Sequence, residues 1–484
     1  MKKVIFLLVD SMMPTVFEDC MRHKTVPALQ FLKDQGRYWP DCVTVFPTMT
    51  ATVDSSLLTG VFPDVHRIPG LVWYDPEEKS IVNYVNGPQC IWKLGLSKCA
   101  KNVLYNLNEK HLSKKVSTLF EELASMGKTS ASINAIVHRG MKKHHVRLPF
   151  LMNISTRFGL KDDMSGPDVL TLGAMVHTDL HRNIPERLRG MRQKYGINDS
   201  YAVSAAKSLI ESQNQPDFML VYLPDNDHEV HKKNPAHAEE PLIRVDRHIQ
   251  NILNSFGSWD EAVKQCIFIV TSDHGQTRIG KEEGFNIDLD KLLESFRGLK
   301  LGEAVSSHDL VVCNNERMAY VYPLRQDKKP DIIHQLVSES RIDLIAWKEK
   351  QGVTVKEGGS GRTIYFEPNG PNKDIYGSTW TITGDWLTLD LYNHDGIVTY
   401  GDYPDVLSRL YGALYSQDIP MIVITARPRY EFKSRFYPLH LNGGSHGSLH
   451  KYDSIIPLII TGTEHPIKEP PRLVDLKQYI LDLF

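Results

Sequence analysis

Asp227 and His231 stand four residues apart, a spacing that puts both on one face of a helical turn. Asp273 and His274 are adjacent and directly follow the apolar run Cys266-Ile-Phe-Ile-Val-Thr271 and Ser272. His446 lies in Gly443-Gly-Ser-His-Gly447, where glycines let a backbone come close to an ion. Asp10 ends another apolar run, over residues 4–9. Carboxylate and imidazole donors of this kind suit a divalent cation of the zinc type. Each piece alone is weak, because an Asp-x-x-x-His pair is more often a surface pair. Their weight comes from occurring together.

The stretch from Phe46 to Gly60 adds a hydroxyl chemistry. Thr48, Thr50 and Thr52 precede a helical pattern over residues 55–58 that stops at Gly60. A hydroxyl at a helix N-terminus meets unpaired N–H groups and the positive end of the dipole, which favours phosphate. An ordinary helix cap uses the same residue types. The metal-type residues elsewhere tip the reading toward chemistry.

The elements that position these residues alternate. Strands are expected over 4–9, 129–137, 217–223 and 266–271, and helices over 26–36, 116–126, 199–213 and 241–256. Such alternation implies a mostly parallel sheet flanked by helices, with ligands collecting beyond the carboxyl ends of the strands. Asp10, Asp225, Asp227, Asp273 and His274 all fall at those ends. Between about 318 and 392 the texture changes to short β-type runs (319–322, 342–347, 363–366, 380–382) separated by Gly/Asn/Pro turns. The expected architecture is α/β, with a core over 1–300 and 400–484 and an inserted, smaller α+β subdomain over 301–399. The core resumes with a helix over 403–414 and strands over 420–425 and 455–461, and closes with a helix over 473–484.

The balance of 56 basic and 58 acidic residues offers no basic field for a nucleic acid polymer. The six cysteines form no CxxC pair, as expected of reduced thiols in a cytoplasmic protein. The first apolar run is shorter than the roughly 7–15 residues of a signal-peptide core. No apolar run approaches the ~20 residues of a membrane span.

Taken in order, Pro47-Thr-x-Thr50, Thr59-Gly-x-x-Pro63, His66, Asp227-x-x-x-His231, Ser272-Asp-His-Gly275 and Gly444-Ser-His-Gly447 resemble the alkaline phosphatase superfamily. The nearest branch is the nucleotide pyrophosphatase/phosphodiesterase, or type I phosphodiesterase, branch. The resemblance spans about 1–280 and 400–484 and implies an alkaline-phosphatase-like sheet. It implies Thr50 as a nucleophile that forms a phosphothreonine, with one cation held by Asp10, Thr50, Asp273 and His274. A second would be held by Asp227, His231 and His446. Asp225 is the other candidate in Pro224-Asp-Asn-Asp227, and Asp227 is preferred for its spacing to His231. The implied cofactors are two divalent cations, zinc first, with manganese or magnesium as alternatives. The implied partner is a small phosphorylated substrate.

The chain departs from the family after the nucleophile, where Ala51-Thr-Val-Asp54 replaces Phe-Pro-Asn-His. Leu71 takes the place of a phosphate-contacting asparagine. Leu71, Trp73 and Tyr74 are candidates for an apolar substrate wall, the two aromatics either stacking on substrate or packing. The basic run 139–147, with His144 and His145, reads as an exposed loop. His228 and Glu229 read as solvated. The resulting expectation is a phosphodiesterase or pyrophosphatase. Phosphomonoesterase, phosphonate hydrolase and phosphoryl transferase or mutase are alternatives on the same metals. Thr50 excludes a sulfatase, which needs Cys or Ser there. A metal-stabilised binding protein without turnover is the alternative outside enzymes.

Overall fold

The computed structural model describes residues 2–146, 163–176, 184–188, 190–303 and 305–484. Seven strands build the first sheet: β1 (Lys3–Val9), β2 (Gly36–Val43), β3 (Ser130–Ile133), β4 (Val169–Thr171), β5 (Phe218–Leu223), β6 (Cys266–Thr271) and β7 (Ile455–Thr461). Their spatial order is β2-β7-β6-β1-β5-β3-β4. β6, β1, β5, β3 and β4 pair in parallel, and β7 runs antiparallel between β6 and β2. β1 is central because both its faces are apolar. Ile5, Leu7 and Val9 enter one core with the helices Pro14–Arg22, Pro27–Asp34 and Glu239–Asn254, while Val4, Phe6 and Leu8 enter another. Burial on both faces is what makes a parallel strand a continuous apolar run.

Register aligns the carboxyl ends. Val9 pairs with Leu223 and Leu8 with Thr271, so the chain leaves β1, β5 and β6 at one edge of the sheet. After β1 comes Asp10; after β5 comes helix α2 (Asp225–Lys232), which follows helix α1 (Thr50–Thr59) in the chain.

Ten strands among the described residues form a second sheet. The expected short runs appear as Met318–Pro323, Ile342–Glu349, Thr363–Asp374 and Thr379–Gly384. Several elements differ from expectation. Ile422–Ala426, read from sequence as part of the first sheet's core, lies between Met318–Pro323 and Ile342–Glu349 in the second. Its composition, Ile-Val-Ile-Thr-Ala, suits any doubly covered central strand, and nothing local chooses between two sheets. The helix Val406–Tyr415 buries Val406, Leu407, Leu410 and Leu414 in the core of that same sheet. β2 was not expected either, since it carries half-buried Arg37 and Trp39 and exposed Pro40 and Asp41 in place of a continuous apolar run.

The expected helix over 116–126 begins only at Leu119, capped by a reciprocal Thr118–Glu121 pair. The closing helix over 473–484 is a short 3₁₀ turn followed by Leu476–Leu481. Among the described residues no helix is long and apolar enough to cross a membrane.

Candidate active site

Three donor groups meet beyond the carboxyl ends of β1 and β6. His274 Nε2 lies 3.5 Å from Asp10 Oδ1 and 3.3 Å from Asp273 Oδ2. All three side chains are buried, and those same three atoms have no hydrogen-bond partner. The other atoms of the groups are spoken for. Asp10 Oδ2 accepts from the Tyr222 hydroxyl, and Asp273 Oδ1 accepts from the amides of Ser11 (3.0 Å) and His274 (2.9 Å). His274 Nδ1 faces the Gly275 carbonyl at 3.2 Å. Burial first, and then the charges of Asp273 and Asp227, push the Asp10 carboxyl well above its ordinary range. Buried polar atoms left unpaired are expensive, and converging carboxylates repel. A divalent cation would satisfy both demands, so the donor set fits one.

A second group stands beside it. Asp227, on the first turn of α2, sets Oδ2 3.3 Å from His231 Nε2 and Oδ1 3.9 Å from His446 Nε2. The rings of His274 and His446 stack at 3.6 Å between centroids. His231 Nδ1 faces the Gly444 carbonyl at 2.9 Å and His446 Nδ1 the Thr48 carbonyl at 2.6 Å. In each imidazole one nitrogen is therefore fixed by a carbonyl and Nε2 is turned to the group, the arrangement typical of metal-binding histidines. Burial opposes charge on His231, but Asp227 and then Glu316 outweigh it and raise the imidazolium to about 10. His446, by contrast, is driven down to about 3 by burial and by His274. Asp225 lies apart: its carboxylate accepts from the Asp199 amide, its own amide donates to the Asp199 carboxylate, and it pairs with Lys194.

α1 carries the threonines into this region. Residues 51–59 of the helix are all buried, and Gly60 closes it at φ +71°, a conformation that favours glycine. Thr48 is committed: its hydroxyl accepts from the Gly447 amide at 2.7 Å, and its carbonyl holds His446. Thr50 is half-buried at the first helical position, and among the described residues no hydrogen bond engages its hydroxyl. One turn further, Asp54 is buried with both carboxylate oxygens unpaired, and burial and the Asp273 charge push it well above its usual range. Thr50 thus opens α1 between a residue bound to the His446 loop and one that senses Asp273. His66 sits away from these groups, its ring fixed by Ser56 and the Ile68 amide.

The remaining candidates lie elsewhere. Trp73 and Tyr74 are buried on the strand Val72–Asp75, Trp73 edge-on to His111 and Tyr74 against Tyr322. Both rings are packed by protein, and Leu71 is half-buried against two cores. The basic run is not a uniformly exposed loop. Arg139 is buried, tied to Glu121 and to the carbonyls of Leu112, Ser113 and Val116, and Lys142–His145 form a strand. The last residue of the run, Arg147, lies outside the described residues. His228 is exposed and Glu229 half-exposed.

Sequence reasoning missed four neighbours. Gln276 Nε2 donates to Asp227 Oδ1 at 2.6 Å, Asn226 donates to the carbonyls of Asp10 and Ser11, and Tyr222 holds Asp10. Asn226 and Gln276 stand next to Asp227 and the Asp273-His274 pair, which was signal enough. The fourth, Glu316, comes from the second sheet, at the turn between Leu310–Asn315 and Met318–Pro323. Its Oε2 lies 3.6 Å from His446 Nε2 and its Oε1 4.0 Å from His231 Nε2.

The class that this fold belongs to is the alkaline phosphatase superfamily, whose members are metal dependent. Within it the chain belongs to the type I phosphodiesterase/nucleotide pyrophosphatase family, whose model matches residues 4–449, and it is a hydrolase of ester bonds. Human ectonucleotide pyrophosphatase/phosphodiesterase 5 is similar in structure, with a TM-score of 0.59 and 14% identity over 100% of this chain and 94% of that one. The murine counterpart has a TM-score of 0.58 and 13% identity, covering 100% and 95%. Phosphonoacetate hydrolase from Sinorhizobium meliloti, in complex with phosphonoformate, has a TM-score of 0.57 and 16% identity over 99% and 96%. No curated protein sequence matches the chain.

Proposed function

We propose that this hydrolase cleaves phosphodiester or phosphoanhydride bonds of a small substrate with two divalent cations of the zinc type, through a phosphothreonine on Thr50. The observation that carries this reading is the meeting of Asp10 Oδ1, Asp273 Oδ2 and His274 Nε2, buried, unpaired and turned toward one another. Asp10, Asp273 and His274, with Thr50, would hold one cation, and Asp227, His231 and His446 the other. Bound there, the cations would supply Lewis-acid stabilisation of charge on phosphoryl oxygen and of the attacking hydroxyl.

The chain's own part is positional. The Thr50 oxygen forms a bond to phosphorus as the ester P–O bond breaks and the alcohol or phosphate leaves. Water then breaks the threonine–phosphorus bond and restores the hydroxyl. The first-turn amides of α1 face developing negative charge with the positive end of the helix dipole. Thr48 holds His446 by its carbonyl, so that ring stays oriented through both steps. In support of a threonine role, a structure of the murine relative in complex with AMP is of an inactive threonine-to-alanine variant.

The test is turnover of an aryl phosphodiester by zinc-loaded protein. Thr50→Ala should abolish it while both metals remain bound. Thr48→Ala, which spares the carbonyl under His446, should keep most of it. Exchanged phenotypes would shift the nucleophile by two residues. Hydrolysis of phosphonoacetate in place of the diester would favour a phosphonate hydrolase, the activity named for the bacterial structural neighbour.

A further inference from the structure

Glu316 is a buried carboxylate supplied by the second sheet to the side of the cluster that the first sheet builds. Oε2 accepts from the Ser445 hydroxyl at 3.0 Å and from the His446 amide at 3.3 Å. Those bonds fix the carboxylate while it faces the two Nε2 atoms that the carbonyls of Gly444 and Thr48 have turned inward. The backbone is committed to the same end. Glu316 adopts φ +63°, a conformation that L residues other than Asn and Asp seldom take. Its carbonyl accepts from Phe432 N at 2.8 Å, and the next amide, of Arg317, donates to the His446 carbonyl at 2.9 Å. The hairpin tip is thus bonded on one side to the strand Glu431–Lys433 and on the other to the loop that carries His446.

Four contacts describe the group. Asp227 Oδ2 lies 3.3 Å from His231 Nε2 and its Oδ1 3.9 Å from His446 Nε2, while Glu316 Oε1 and Oε2 lie 4.0 Å and 3.6 Å from the same two nitrogens. A tetrahedral ion with bonds of about 2.0–2.2 Å has donor–donor edges of about 3.3–3.6 Å. Each carboxylate reaches the two imidazoles through different oxygens, so one oxygen of Asp227 and one of Glu316 must turn inward for the four groups to reach that shape.

We propose that Glu316 is a fourth protein ligand of the cation held by Asp227, His231 and His446, so that the second sheet completes a metal site begun on the first. The inference rests on the two-cation reading above. It assigns the ligand set as two carboxylates and two imidazoles, which leaves the ion and its protein ligands without net charge. His440, whose Nδ1 faces Glu431 at 3.0 Å and whose ring lies 4.3 Å from His231, backs this side of the group.

Zinc affinity measured by competition with a chromophoric chelator tests it without reference to turnover. The wild-type chain should take two ions, and Glu316→Gln should weaken one of them at least tenfold while leaving the other unchanged. Asp225→Asn, outside the group, should match wild type. If the glutamine variant fails to fold, zinc-loaded wild-type crystals measured at the zinc absorption edge decide instead. They should place an ion within about 2.2 Å of a Glu316 oxygen. Wild-type affinity at both ions in Glu316→Gln, an ion beyond bonding reach of Glu316, or a third ion between Glu316 and His440 would each overturn the proposal. A chain that binds no zinc at all would overturn the two-cation reading itself.

Discussion

Asp273→Ala and His446→Ala remove donors from different groups, and their effects should therefore be separable. Each loss takes one protein donor from a single ion and leaves the other group whole, so the affected ion is weakened to the point of loss while its neighbour stays. Elemental analysis should find about one metal per chain in either variant, and two retained in both would remove the ligand assignment. At this scale the sequence was informative wherever chemistry sits at a strand end. Asp10, Asp227, Asp273 and His274 follow apolar runs whose ends a parallel sheet must align, and the structure brings them together with His231 and His446. Glu316 was illegible for the opposite reason. It sits in Asn314-Asn-Glu-Arg317, an ordinary turn between two strands, and no spacing tells which turn of a second sheet meets the first. Trp73 and Tyr74 were ambiguous because a ring that stacks on substrate and one that fills a core have the same local sequence.

At the level of elements, the loop carrying His446 and the hairpin carrying Glu316 touch backbone to backbone. Gly447 makes that approach possible. Its φ is +112°, and a Cβ there would stand 2.5 Å from the Asn315 carbonyl oxygen and 3.4 Å from the amide nitrogens of Arg317 and Met318. Arg317 anchors the junction from below, buried, with Nη1 donating to Asp453 and to Thr277, while Asp453 also accepts from the Ser448 amide. A buried ion pair so fully bonded is costly to break on one side. Gly447→Ala should destabilise the protein by about 1–3 kcal/mol through backbone strain. It should also weaken the cation at His446 more than the one at Asp10, because the displaced backbone carries the imidazole. Denaturant unfolding of the metal-free protein, paired with zinc titration, checks both parts; an unchanged zinc affinity would mean that the loop yields without moving the ring. The glycine-rich sequence around His446 signalled close approach. What it approaches became visible only in three dimensions.

On the scale of the whole molecule, the two sheets divide the work, and the division bears on ester type. A phosphomonoester carries nearly two negative charges at neutral pH and a diester one. Favouring the dianion requires positive charge beyond what the ligands neutralise, usually an arginine or a further cation. The first sheet supplies Asp10, Asp227 and Asp273, and the second adds Glu316, so four carboxylates would face two divalent cations and leave no surplus. Among the described residues, the arginines nearest this question are engaged elsewhere. Arg67 pairs with Asp418 and the Tyr415 carbonyl, Arg139 with Glu121, and Arg317 with Asp453. Asp54, one turn beyond Thr50, is pushed by burial toward its neutral form and so adds hydrogen-bonding capacity but no cation. The zinc-loaded enzyme should accordingly show a higher kcat/KM for an aryl phosphodiester than for the matching monoester by at least about tenfold, which needs ~1.4 kcal/mol of differential stabilisation. The same comparison in Glu316→Gln should narrow the gap, because removing one negative charge restores the attraction for a dianion. A monoester preference in the wild-type enzyme would require a further cation to reach Thr50, and the phosphodiesterase reading would give way to phosphatase.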